Sequence, residues 1–128
     1  MAYTGNLKKL DELHAKMQEI RAEIRALQAE REPDPVRDYE FATAEGTVRL
    51  SELFGDHNTL FMIHNMGRSC VYCTMWADGF NGVFDHLQNR AAFVVASPDA
   101  PDVQKAFSES RDWRFRMISH NGNGFAED

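Results

Sequence analysis

The sequence predicts an α/β fold in which parallel central strands are flanked by helices and preceded by a β-hairpin and a long helical arm. Two apolar runs of strand length, residues 60–64 and 92–96, place apolar side chains on both faces, which is typical of strands covered by helices on both sides. A helical pattern follows each run, and residues 113–118 alternate as a third strand. A β-α-β-α-β succession implies parallel strands joined by right-handed crossovers.

Composition excludes several functional classes. At 128 residues and 43% hydrophobic, the chain is long enough to bury one core without metal or disulfide staples. The net charge is −6, and no Lys/Arg cluster offers the basic face that nucleic acid or an anionic membrane requires. The chain opens without a signal-peptide pattern and has no apolar run long enough to span a membrane. We therefore expect a cytoplasmic protein with neither a nucleic-acid nor a membrane partner.

Residues 1–35 are interpreted as a helical arm with a proline linker, and residues 36–128 as the α/β domain. An apolar stripe at alternating steps of three and four predicts a helix over residues 6–31, which Pro33 and Pro35 end. The stripe consists of Leu10, Leu13, Met17, Ile20, Ile24 and Leu27. It predicts either pairing with a second copy of the chain or docking of the helix on its own domain.

The segment between the arm and the first buried strand predicts a hairpin. Residues 39–41 and 47–50 alternate as short strands around a turn at residues 44–46, where glycine favours a reversal of the chain. Ser51 then follows as the expected N-cap of a short helical turn over residues 52–54.

Two further helices are expected to pack apolar faces on the sheet. The face after the cysteines consists of Trp76, Phe80, Val83, Phe84 and Leu87. Trp76 on such a face is interpreted first as core packing and second as a wall of the site. The second helix opens near Asp102. Its inward residues are predicted to be Val103, Ala106 and Phe107.

The only two cysteines form the pattern Cys70-Val71-Tyr72-Cys73, between the strand at residues 60–64 and the following helix. In a reducing compartment, two thiols at this spacing and in this context favour a dithiol redox site over a structural staple. A cysteine in the first helical turn gains from unpaired N–H groups, which favour the thiolate. We therefore assign Cys70 as nucleophile and Cys73 as resolving thiol, and we expect Arg68 to lower the pKa of Cys70 further.

Two other interpretations of the cysteines stay open from the residues alone. They would also suit a zinc or iron–sulfur site completed by His64 and His120, or two inert thiols in a protein whose helical arm serves assembly. A histidine inside an apolar strand is more often a hydrogen-bonded core residue than a metal ligand. Ser69 and Tyr72, with Arg68 and Trp76, complete the residues expected to support the site or contact a substrate.

Residues 66–82 read Met-Gly-Arg-Ser-Cys-Val-Tyr-Cys-Thr-Met-Trp-Ala-Asp-Gly-Phe-Asn-Gly. This segment closely resembles the signature of a thioredoxin-like family of unknown function, described as predicted dithiol-disulfide oxidoreductases. The similarity extends to residues 48–55 and 113–120. The resemblance implies a thioredoxin-like fold with the layout of the peroxiredoxin branch. It also implies thiol–disulfide exchange with a protein or small-molecule substrate, using a redox-active disulfide and no separate cofactor.

The chain departs from that family pattern in two respects. Met66, Gly67 and Arg68 stand where peroxidases carry a proline and a threonine upstream of the reactive cysteine, so peroxide reduction is not expected. No proline precedes a later strand to serve as the cis-proline, and the domain is expected to lack the C-terminal part that would cover strand 59–65. We therefore expect that strand to have a free edge in a fragment of a longer protein, or in a homodimer formed through the edge, the arm or both.

Overall fold

The computed structural model describes residues 6–128, and the chain divides into two compact units, Met1–Val36 and Arg37–Asp128. The first unit contains helix α1, Leu7–Glu30, which has no buried residue. The apolar stripe along it is exposed throughout, from 40% at Met17 to 68% at Leu27. Within the described residues, no helix combines the length and the apolar character needed to cross a membrane.

The second unit is a mixed α/β domain built on a five-stranded sheet with the order β2-β1-β5-β4-β3. The strands are β1 Glu40–Thr43, β2 Gly46–Arg49, β3 Leu60–His64, β4 Ala92–Ser97 and β5 Arg116–Ser119. β3, β4 and β5 are parallel, as predicted. The predicted hairpin is confirmed as the antiparallel pair β1–β2, and β1 joins the parallel strands by an antiparallel pairing with β5.

Three helices connect the parallel strands: α2 Val71–Gly82 and α3 Phe84–Arg90 between β3 and β4, and α4 Pro101–Ser110 between β4 and β5. Because each new strand is added on the same side of the preceding one, right-handed crossovers place all three helices on one face of the sheet. Helical side chains accordingly pack on one core cluster, around Phe93, Val95 and Phe115. The expectation of helices on both faces of the central strands is therefore wrong.

The opposite face of the sheet is covered by shorter elements. Its core cluster is built from Tyr39, Phe41, Val48, Leu53, Val94, Ala96 and Ile118. Leu53 comes from the 3₁₀ turn Ser51–Phe54, and Phe125 of the C-terminal segment packs edge-on against Phe41 with ring centroids 5.1 Å apart. Ser51 does not cap this turn as expected, because its backbone N–H and its hydroxyl both donate to the Asp38 carboxylate.

Among residues 6–128, β3 lies at the end of the sheet and pairs only with β4. The free edge predicted for strand 59–65 is thus present in the described part of the chain. The edge position also explains burial, since β3 residues are half-buried or exposed whereas five of the six β4 residues are buried. An edge strand has a neighbour on one side only, so its side chains gain less cover than those of a central strand.

The apolar spacing after the cysteines predicted one buried helical face from Trp76 to Leu87, but the structure divides this segment between two helices. The backbone leaves the helical conformation at Val83, which separates α2 from α3. Phe80, Phe84 and Leu87 pack on the core cluster as predicted, but Trp76 and Val83 are exposed at 62% and 47%. The break interrupts the 3.6-residue period, so a single apolar face does not run through both helices.

Helix α4 and strand β5 also differ in detail from their predictions. Ala106 is exposed, and the buried residue of α4 is the polar Gln104. The Gln104 amide donates to Ser97 Oγ and to the Ile118 carbonyl, both at 2.8 Å, and so satisfies polar atoms of β4 and β5. β5 begins at Arg116 rather than at residue 113, although Trp113 and Phe115 ahead of it are buried in the core.

Candidate functional site

Cys70 and Cys73 lie at the N-terminal end of α2 and form a disulfide, with their Cα atoms 5.2 Å apart. Cys70 is the N-cap residue, in an extended conformation, and both side chains are half-buried. Its Sγ accepts a hydrogen bond from the backbone N–H of Cys73 at 3.1 Å. The structure therefore brings the cysteines together at the helix start, where the sequence placed them.

The first turn of a helix has N–H groups without partners in the helix. A sulfur that accepts one of them is stabilised in its anionic form, and the helix dipole acts in the same direction. Thr74 reinforces this turn, because its hydroxyl and its backbone N–H both donate to the Cys70 carbonyl, at 3.1 and 3.0 Å. The geometry around Cys70 is therefore that of a cysteine whose thiolate is favoured after reduction.

The loop from β3 to Cys70 is held at both ends by hydrogen bonds. The buried Asn65 accepts the Gly67 N–H through its Oδ1 at 2.8 Å, and its own N–H donates to the Ala96 carbonyl at 2.8 Å. Asp99 accepts the Arg68 N–H at 2.7 Å. The Cys70 N–H then closes a turn on the Gly67 carbonyl at 3.0 Å. Together these hydrogen bonds determine where the first cysteine stands.

Gly67 has a specific structural requirement in this loop. Its φ is +102°, and a Cβ at this position would lie 3.0 Å from Asp99 Oδ1. A positive φ disfavours any residue with a side chain, and the close carboxylate leaves little space for one. Gly67 therefore permits the approach of Asp99 to the Arg68 N–H.

Sequence reasoning missed Asn65 and Asp99. Both follow parallel strands that are neighbours in the sheet, β3 and β4. The carboxyl ends of parallel strands meet at one edge of a sheet, where sites commonly form. Polar residues that follow two adjacent parallel strands would have been the sequence signal for these two loop-holding residues.

Arg68 and Ser69 occupy the exposed turn ahead of the cysteines. Arg68 lines an open groove of about 450 Å³ on the same side as α2. The other lining residues are Val71, Thr74, Met75, Asp78, Phe107 and Arg111. The groove runs from the residue after Cys70 to α4, so a molecule that reaches the disulfide would meet a cation and apolar side chains beside it.

The residues next to the two cysteines along the sequence include several exposed apolar side chains. We call this set the apolar rim: Met66 70%, Val71 78%, Tyr72 77%, Met75 57% and Trp76 62% exposed. Tyr72 is exposed, whereas the interpretation of Trp76 as core packing is wrong. Trp76 instead stacks on Phe80 with ring centroids 6.2 Å apart. Apolar residues concentrated around a reactive group are typical of a contact surface.

Asp78 and Asn81 within the signature segment join α2 to the turn between α4 and β5. Asp78 accepts hydrogen bonds from the Arg111 guanidinium and, at 2.8 Å, from the Trp113 indole N–H. The hydrogen bonds from Arg111, which have the larger effect, and the one from Trp113 lower the pKa of Asp78 below its usual 3.8. Asn81 donates to the Asp112 carbonyl at 2.9 Å and accepts the Arg114 N–H at 2.8 Å. These polar residues therefore position the thiol helix.

His64 and His120 form a pair with their Nε2 atoms 3.1 Å apart. They meet across β4, where the residue opposite His64 is the small Ala96. His64 lies on the same face of β3 as Leu60 and Met62, which pack on the cluster that α2 does not touch. Burial has the larger effect and the neighbouring His64 the smaller one, and both lower the pKa of His120 below its usual 6.5.

The histidines and cysteines are therefore not gathered into the four-ligand site considered from the sequence. Among residues 6–128, no group of three or more His, Cys, Asp or Glu side chains has the geometry to hold a metal ion. The metal-site alternative with Cys70, Cys73, His64 and His120 is not supported by these positions. The histidines instead pair with each other, as the first interpretation of His64 expected of a hydrogen-bonded residue, but His64 itself is exposed and only His120 is buried.

The fold and the site define a class of protein: a mixed α/β domain that carries a Cys-x-x-Cys pair at disulfide distance where a parallel strand leads into a helix. Residues 4–128 match the family described as bacterial protein of unknown function (DUF899), and the chain belongs to that family. The match covers nearly the whole chain. No curated protein matches it.

Gly67→Ala is expected to lower the free energy of unfolding by about 1 kcal/mol or more, because it strains a positive φ and crowds Asp99. Gly79→Ala is the matched control, since no atom lies within 4 Å of its added Cβ. Gly79 is inside α2, where alanine is more favourable than glycine by about 1 kcal/mol. Urea denaturation should therefore give changes of opposite sign, and a Gly67→Ala protein as stable as Gly79→Ala would contradict this role of the loop.

The His64–His120 pair predicts that stability falls as the solution is acidified. The folded-state pKa of His120 lies below 6.5, so in the window below pH 6.5 the unfolded chain binds more protons than the native one, and stability is lost as pH falls. His120→Gln cannot take up this proton. Thermal unfolding between about pH 8 and 5 should therefore show a shallower pH dependence for His120→Gln than for the wild type, and parallel curves would refute the assignment.

Proposed function

We propose that this protein is a thiol–disulfide oxidoreductase whose redox centre is the Cys70–Cys73 pair. The observation that carries the proposal is the N-cap disulfide itself, in which Cys70 Sγ accepts a backbone N–H of the helix that it starts. Such a cysteine is a good nucleophile as a thiolate, and a second thiol one turn further on is within reach to displace its partner.

The exchange proceeds in two balanced steps. In the reduced protein, the Cys70 thiolate attacks a substrate disulfide, forms an S–S bond to one substrate sulfur and releases the other as a thiolate. Cys73 gives up its proton and attacks Cys70 Sγ, which forms the Cys70–Cys73 disulfide and releases the second substrate thiolate. Two electrons pass from the protein dithiol to the substrate, and the reverse sequence oxidises a substrate dithiol.

We further propose that residues 36–128 form a thioredoxin-like domain with the peroxiredoxin layout. The strand order β2-β1-β5-β4-β3, with the thiol helix following β3, supports this assignment. The resemblance of residues 66–82 to the dithiol-disulfide oxidoreductase signature supports it independently. The proposed place of action is the cytoplasm, where reductants can return such a pair to the dithiol state.

The apolar rim favours a protein substrate over a small thiol. Five exposed apolar residues around one disulfide offer a contact area larger than a small thiol would need. Tyr72 and Trp76 are aromatic, and aromatic side chains often supply much of the binding energy at protein interfaces. The substrate proposed here is a protein whose disulfide lies next to apolar side chains.

Replacing each cysteine in turn tests the redox centre. Cys73→Ser should accumulate a mixed disulfide with a substrate, because the resolving thiol is missing, and Cys70→Ser should form none. In the reduced wild-type protein, Cys70 should alkylate with an apparent pKa well below the ordinary value of about 8.5. Intact mass spectrometry of the adducts and the pH dependence of alkylation measure both, and equal, slow alkylation of the two cysteines would remove the proposal.

Shortening the rim aromatics tests the class of substrate. Tyr72→Ala and Trp76→Ala should each slow reduction of a protein disulfide by roughly fivefold, because removing a central contact commonly costs about 1 kcal/mol of binding. Their rates with a small aromatic disulfide should stay near those of the wild type. Val83→Ala is the matched control, since Val83 is exposed but lies beyond the far end of α2. Equal losses with both substrates would argue against protein docking on the rim.

A further inference from the structure

Helix α1 has an apolar seam along one face, and the residues of this seam are exposed. Leu10, Leu13, Met17, Ile20, Ile24 and Leu27 lie on this seam, and each is exposed by 40% or more. In heptad terms the seam consists of a and d positions, which coiled coils bury against another helix. The charges that flank the seam, at the e and g positions, then decide which partner and which orientation fit.

The flanking charges divide α1 into a basic and an acidic half on one side of the seam. The g positions are Lys9, Lys16, Glu23 and Glu30, in that order along the helix. The e positions of the described helix are Leu7, His14, Arg21 and Gln28. A helix whose g positions are basic in its first half and acidic in its second half complements a copy of itself that runs in the opposite direction.

A parallel pair of α1 helices is disfavoured by these charges. In a parallel coiled coil each g residue faces the e residue five positions later in the partner helix. Lys16 would therefore face Arg21 of the second copy, twice in a symmetric pair. The remaining g–e pairs, Lys9 with His14 and Glu23 with Gln28, would offer no opposite charge at neutral pH.

We propose that α1 is a dimerisation element that pairs antiparallel with α1 of a second copy of this chain. In that orientation g residues face g residues, so Lys16 meets Glu23 of the second copy and Lys9 meets its Glu30. Twofold symmetry repeats each pair and gives four opposite-charge pairs. On the other flank, Arg21 faces His14 and Leu7 faces Gln28.

The same arrangement selects one register. With full overlap, the seam residues meet in apolar layers: Leu10 with Leu27, Leu13 with Ile24 and Met17 with Ile20. A shift by one heptad in either direction places Lys16 against Lys16 or Glu23 against Glu23, and it leaves seam residues at the ends without a partner. Charge and apolar burial therefore favour the same alignment.

Antiparallel pairing of α1 determines how two chains are joined, whether or not the cysteines exchange disulfides. The helix of 24 residues is about 36 Å long at about 1.5 Å per residue. In an antiparallel pair the two chains therefore continue from opposite ends of the element, so the linkers that follow Glu30 begin about 36 Å apart.

Charge reversal in the full-length protein tests the orientation, with dimer dissociation constants measured by sedimentation at low ionic strength, where exposed ion pairs count most. Lys16→Glu replaces two attractions by two repulsions in the antiparallel pair and should weaken the dimer about tenfold. In a parallel pair the same change would create an attraction to Arg21 and tighten the dimer. The double variant Lys16→Glu/Glu23→Lys should return to within about twofold of the wild type.

Two further variants separate the interface from helix stability. Glu23→Lys places a second cation against Lys16 of the other copy, yet within the helix the new ammonium forms a favourable pair with Glu19 four residues earlier. It should therefore weaken the dimer while the helix content measured by circular dichroism is kept. Lys8→Glu changes the charge by the same amount as Lys16→Glu, away from the seam, and should leave the dimer unchanged.

Three results would overturn the proposal. The first is a monomeric wild-type protein at tens of micromolar. The second is a tighter dimer for Lys16→Glu, which would indicate parallel pairing. The third is equal weakening by Lys8→Glu and Lys16→Glu, which would indicate an unspecific effect of charge on the helix.

Discussion

The parallel pairing of β3 with β4 is the interaction on which the position of the cysteines depends. It brings the ends of the two strands to the same edge of the sheet, with His64 opposite Ala96. Asn65 and Asp99, which follow these strands, then hold Gly67 and Arg68 by hydrogen bonds of 2.8 and 2.7 Å. Without that pairing, Asp99 would be remote from the loop, and Cys70 would not be held at the start of α2.

The second requirement of the site is that α2 stays aligned with the sheet while its N-terminal turn remains accessible. Ala77, nearly fully buried, packs in the core cluster beneath the helix. Asp78 and Asn81 bind the turn between α4 and β5 from the same helix. These contacts lie beyond the cysteines, so the two cysteines are left half-buried and the apolar rim around them is open to solvent. A rigid helix and an open end are what disulfide exchange with a second molecule needs.

Exposed apolar residues concentrate on two surfaces in the described part of the chain, the seam of α1 and the rim around the disulfide. Burying large apolar side chains typically contributes about 1.5–3 kcal/mol each, so surfaces of this kind are commonly used for binding. The two differ in chemistry. The seam is regular and flanked by ordered charges, which suits a second identical helix, whereas the rim is irregular, aromatic and adjacent to a reactive group.

Much of the fold could be predicted because its signals are local. The hairpin, the apolar strands β3 and β4, and the helix start at Cys70 follow from periodicity, turn residues and cysteine spacing over a few positions. The failures occurred where local pattern competes with a distant contact. Gln104 was not among the inward residues predicted for its helix, yet it is buried because it reaches Ser97 and Ile118. Trp76 fitted the predicted apolar face, yet it is exposed although Phe80, one turn later in the same helix, packs on the core.

The sequence by itself determined which residues form the disulfide, since it contains only two cysteines and their spacing places them one helical turn apart. It also determined the seam of α1 and the order of its flanking charges. Only the tertiary structure decided that the helices between the parallel strands lie on one face of the sheet, that Asn65 and Asp99 hold the loop before Cys70, and that the two histidines meet each other instead of the cysteines. The physical reason is that these features depend on which strands are neighbours and which sheet face a side chain occupies. Both are set by crossovers and packing between residues far apart in the chain.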